Sequence, residues 1–122
     1  MSMRRRVLVL GLALAASMAS MASAAELTFL LKIENGHVAR NMRLIRIKQG
    51  DVVKLQWSTD RRISLHLHGY DIEKEIVPGA VTEMSFGARA TGRFTVAPHL
   101  GKEPGGGHAH GEALVTIEVY PR

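Results

Sequence analysis

Residues 47–73 read IKQGDVVKLQWSTDRRISLHLHGYDIE, and the alternation inside them decides the fold class. Gln49-Gly50-Asp51 is a turn. After it, VVKLQW (52–57) alternates apolar and polar residues with a period of two, the mark of a half-buried strand. Ser58 to Arg62 make a polar turn. Ile63, Leu65 and Leu67 then fill one parity of a further strand, while His66, His68 and Tyr70 fill the other. A neutral imidazole is a common metal ligand and a poor core filler, so two of them side by side need an explanation.

Working outward, the same pattern repeats. ELTFLLKI (26–33) is rich in β-forming types and ends at an Asn35-Gly36 turn. MRLIRI (42–47) alternates arginine with apolar residues, and VTEMSF (81–86) follows the Pro78-Gly79 break. Ala90-Thr91-Gly92 turns into RFTVA (93–97), and a long loop, 98–111, precedes ALVTIEVY (113–120). These seven short strands describe an all-β sandwich, with no helical period and no internal repeat. Trp57, Leu55, Phe86, Phe94, Val96, Val115 and Ile117 are its expected interior. Met42 and Met84 are expected as core filler, and His37, beside a turn, as a solvated residue.

The first 25 residues read as something else. Arg4, Arg5 and Arg6 precede an apolar stretch from Val7 to Ala16, and small residues lead to Ala22-Ser23-Ala24-Ala25. That order is a secretory signal peptide cleaved near residue 24 or 25, and the apolar stretch is shorter than the ~20 residues of a spanning helix. The expected organisation is a leader over 1–25 and one domain over 26–122, periplasmic and without a membrane span after cleavage. The whole chain carries a formal +5 at pH 7, but three arginines leave with the leader, and thirteen basic against eleven acidic residues give the remainder a net +2. No basic block remains to form a nucleic-acid surface. There is no cysteine, which excludes thiolate ligation, thiol catalysis and disulfides.

Five of the six histidines fall into two groups: His66 and His68 on one strand, then His99, His108 and His110 around one glycine-rich loop. Strand residues two apart share a face, roughly 6.5 Å apart along the chain. The clustering points to a metal site made of imidazoles and names a ligand type rather than a metal. The plainer alternatives are a hydrogen-bonded structural histidine on the strand and a polar surface in the loop. Phosphate-loop, dinucleotide, nucleophile-elbow and His-Glu-x-x-His patterns are all missing. Asp71, Glu73 and Glu75 alternate on one face and read as solvated acids beside a turn.

The order of elements resembles the cupredoxins. IKQGDVVKLQWSTD (47–60) is similar to the strand, Gly-Asp turn and strand before that family's first ligand. HLHGYDIEKEIVPG (66–79) is similar to the stretch carrying the first histidine, FGARATGRFTVAPH (86–99) to the Gly-x-Phe hairpin running into the ligand loop, and ALVTIEVYP (113–121) to the closing strand. The likeness covers roughly residues 27–121 and is greatest to periplasmic domains that lack the blue-copper cysteine, as also occur in bacterial iron-uptake proteins. It implies a Greek-key β-sandwich of about seven strands. It places His66 at the first histidine ligand, with His68 as the rival two residues on, and brings His99 close to the missing cysteine. His108 and His110 stand where the family has its second histidine and methionine.

Without a thiolate, Cu(II) would take a tetragonal nitrogen–oxygen site rather than a blue one. The resemblance therefore implies a copper-handling protein (sequestration, delivery or sensing), with zinc as the competing metal and no enzymatic activity. Two other readings stand beside it: a metal-free module binding a periplasmic partner protein, or an accessory domain in metal uptake; and a small redox enzyme with a type 2 copper.

Overall fold

Among the described residues ten strands realise the alternation: β1 (Glu26–Glu34), β2 (His37–Val38), β3 (Leu44–Lys48), β4 (Val52–Thr59), β5 (Ile63–Leu67), β6 (Ile72–Ile76), β7 (Thr82–Gly87), β8 (Gly92–Lys102), β9 (His108–His110) and β10 (Val115–Tyr120). The structure, a computed structural model, describes Gly11 and residues 24–102 and 108–122, with the backbone alone for 101, 102 and 108–110. Most of the expected leader and the glycine stretch 103–107 lie outside the described residues. All seven expected strands are present. The short β2, β6 and β9 are additional.

The strands form two layers. One sheet runs β2-β1-β4-β7 and the other β3-β10-β8-β5-β6, with β9 added to β8. β1 lies parallel to β4 and β3 parallel to β10, while the remaining pairs are antiparallel. Asn35 and Gly36, at φ 50° and 78°, make a two-residue turn that sets Glu34 opposite His37.

Parity decides what faces inward. Leu31, Ile33, Val53, Leu55, Trp57, Met84 and Phe86 come from the first sheet, and Ile45, Ile47, Leu65, Leu67, Ile76, Val96, Val115, Ile117 and Val119 from the second. Met42 and Phe94 are half-buried against this cluster, and His37 is exposed. The residues of opposite parity on the second sheet face outward. Glu118 there pairs with Arg93 at 2.9 Å and Arg46 at 3.7 Å.

One charged side chain is buried among the described residues, Asp51 in the turn before β4. Its Oδ1 accepts from the Ala25 amide at 3.1 Å, its Oδ2 from the Lys48 amide at 3.0 Å, and the Arg122 guanidinium lies against it. The Ala25 bond, with the Lys48 bond and Arg122, holds the carboxyl below its ordinary range against the opposing effect of desolvation.

Candidate metal centre

β5 runs between β8 and β6, and its register carries the site. His66 stands opposite Ala97 on β8 and Glu73 on β6. Residues directly opposite share a face, so His66, Ala97 and Glu73 look outward together, with His99 on the same face of β8 two residues beyond Ala97. Ala97 is the small residue of the group, and no bulky side chain separates His66 from His99. Their ring centroids are 6.4 Å apart.

His68 completes the group just past the end of β5. Its amide donates to Thr95 O at 2.9 Å, continuing the ladder, and its ring centroid is 4.5 Å from that of His66. This is closer than the along-strand spacing because the chain is entering a tight turn. Gly69 has φ +90° and Asp71 has φ +53°. A Cβ on Gly69 would lie 2.6 Å from the Phe94 ring, so only glycine lets β5 fold back into β6 here. The turn also ends the alternation. Tyr70, expected on the histidine face, instead packs with ring centroids 4.7 Å from Phe86 and 5.0 Å from Phe94.

The carboxylates of Asp71, Glu73 and Glu75 are exposed, as expected of acids beside a turn, and each also meets a histidine or arginine side chain. Glu73 Oε1 accepts from His99 Nδ1 at 2.5 Å. A carboxylate accepts and cannot donate, so Nδ1 carries a proton in this bond, and a neutral imidazole held this way turns Nε2 toward a metal as a donor. Asp71 Oδ1 lies 3.6 Å from His66 Nε2, and Glu75 pairs with Arg62 at 2.5 Å. The sequence did hold a sign of this: a hairpin turning about Gly69 and Tyr70 pairs residue 66 with residue 73.

His99 and His66 are about four-fifths buried, with side chains 18% and 21% exposed, whereas Asp71 is fully exposed. β9 returns over β8 with His110 opposite His99 and His108 opposite Lys102. The side chains of His108 and His110 lie outside the described residues. Among the described residues no three His, Asp or Glu side chains are arranged to hold a metal ion together. The imidazole donors fit a borderline metal such as Cu(II) or Zn(II).

The sequence matches no family model and no curated protein. Solved structures do match. A copper binding protein, determined in its apo form in solution, superimposes with a TM-score of 0.60 over 82% of this chain and 93% of its own, at 9% identity. The periplasmic domain of subunit II of cytochrome oxidase of Bradyrhizobium japonicum matches with a TM-score of 0.59 over 83% of this chain and 88% of its own, at 17% identity. The chain has the cupredoxin-like fold. This cupredoxin-like domain also superimposes on part of the blue copper oxidase of Nitrosomonas europaea, with a TM-score of 0.54 and 18% identity over 75% of this chain and 43% of that one. The two-sheet architecture expected from the alternation is therefore the observed one. No helix of the described residues is long and apolar enough to cross a membrane.

Proposed function

We propose that this cupredoxin-like domain is a periplasmic copper-binding protein that takes Cu(II) in a histidine-rich, non-blue site and serves copper sequestration, delivery or sensing. The observation that supports it most is the gathering of His68 and His99 around His66, with Glu73 against Nδ1 of His99. The copper proteins and the periplasmic domain among the structural neighbours support it further. His99 would offer Nε2, His66 or His68 a second nitrogen, and His110 or His108 the remainder. Imidazole nitrogens favour Cu(II) over the other divalent first-row metals, with Zn(II) the competitor. Held by these nitrogens, Cu(II) would be a bound ion to be stored or passed on.

Metal analysis of untagged protein isolated from the periplasm tests this, followed by Cu(II) titration under spin resonance. About one copper per chain and an ordinary tetragonal spectrum are expected. Protein that carries no metal and fails to retain added Cu(II) would overturn the reading. A second reading is a metal-free module that binds a partner protein, its histidines held by local hydrogen bonds such as that between His99 and Glu73. Full metal loading with no change in partner capture separates the two.

A further inference from the structure

We infer that the bond between Ala24 and Ala25 is the maturation site of this chain, and that the amine released on Ala25 becomes a structural ligand of the buried Asp51 carboxylate. The inference does not depend on the metal site.

The residues around that bond support it from both sides. Ala22-Ser23-Ala24 supplies the small-x-small pattern that a signal peptidase accepts ahead of its cleavage point. Ala24 and Ala25 are exposed, and β1 begins one residue later at Glu26, so the bond lies outside the sheet. Ala25 itself is held twice, its nitrogen on Asp51 Oδ1 at 3.1 Å and its carbonyl accepting from the Val52 amide at 2.9 Å. Cleavage after Ala25 would discard both contacts. Cleavage after Ala24 keeps both and converts one of them.

The conversion is a hydrolysis. Water is consumed, the C–N bond between Ala24 and Ala25 breaks, a carboxylate leaves with Ala24, and the amine left on Ala25 takes up a proton. The amide donor to the Asp51 carboxylate thereby becomes an ammonium donor, which adds the attraction of an ion pair to a hydrogen bond already assisted by the charge on Asp51. Asp51 can use that charge. It is 3% exposed, and a buried carboxylate needs cationic and hydrogen-bonding partners to stay ionised. The Lys48 amide and Arg122 already sit around it beside the Ala25 nitrogen, and cleavage turns that third donor into a second cation. Removal of the leader thus tightens the turn from which β4 starts.

Intact-mass measurement of protein exported with its own leader should give a chain beginning at Ala25. A second measurement compares thermal unfolding of that protein with the same protein acetylated at its terminal amine, which keeps an N–H for Asp51 and removes the charge. Acetylation should lower the midpoint by about 4 °C or more, the scale on which one charged contact moves a domain of this size. The difference should vanish in Asp51→Asn. If Asp51→Asn does not fold, the acetylation comparison in the unsubstituted chain decides alone. A mature chain beginning anywhere but Ala25, or an acetylated terminus with an unchanged midpoint, overturns the inference.

Discussion

Glu73 and His99 come from strands that do not touch, and the bond between them crosses over β5 beside His66. Outer carboxylates of this kind typically alter metal affinity 10–100-fold, so Glu73→Ala should weaken Cu(II) binding by about 10-fold in a competition titration. Unchanged affinity would mean that His99 is not a ligand. His66→Ala and His99→Ala should each cost more than His108→Ala or His110→Ala, because strands hold their donors in place while a donor from the glycine-flanked β9 has to be ordered. Between the two loop histidines, His110 stands opposite His99 and should matter more than His108. His37→Ala, exposed on β2, is the control and should change nothing. Affinity should fall as the medium is acidified, since protons compete for the same nitrogens. The histidine types and their shared face were legible from the i, i+2 spacing. The Glu73 partner was passed over because a carboxylate beside a turn looks the same in sequence whether it is solvated or bonded.

The hairpin of β5 and β6 depends on Gly69. Its positive φ and its contact with Phe94 leave no room for a methyl group, so Gly69→Ala should destabilise the fold by about 2 kcal/mol or more, read by urea unfolding. It should also weaken metal binding, because His68 is set by that turn; a variant as stable as the parent would contradict both expectations. The seven main strands could be read because each puts apolar residues on one parity. β6 could not: in IEKEI only Ile76 is fully buried and the three central residues are exposed, so its pattern resembles a solvated loop. β2 is two residues long and β9 three, both below what periodicity can detect. Tyr70 was assigned the wrong face because alternation was carried through a turn that breaks it.

At the scale of the molecule, three carboxyls among the described residues are held below their ordinary values. Asp51 is lowered from 3.8 by the Ala25 amide first, Asp60 from 3.8 by the Asn35 amide first, and Glu118 from 4.5 by the Tyr120 hydroxyl first. A carboxyl with a lowered folded value contributes stability that is fully present above the unfolded value and is lost as pH falls through the folded one. Stability should therefore hold from neutral pH down to about 5 and decline below about 4. A urea midpoint that does not move between pH 7 and pH 3 would sink this. Circular dichroism should be dominated by sheet. Fold class was legible at this scale because the chain has no cysteine and no helical period, leaving a two-layer core as its means of holding together. The pairing of layers was not legible, since β1–β4 and β3–β10 join segments that no local pattern connects.

Those two parallel pairs have a kinetic consequence. β3 begins at Leu44 and its partner β10 ends at Tyr120, so the second sheet cannot close its outer edge until the last strand has been made. Topologies dominated by such distant pairings cross their barrier slowly, in milliseconds to seconds rather than microseconds. Stopped-flow refolding of residues 25–122 should give a relaxation in that slow range, and microsecond folding would show that the register forms by some more local route.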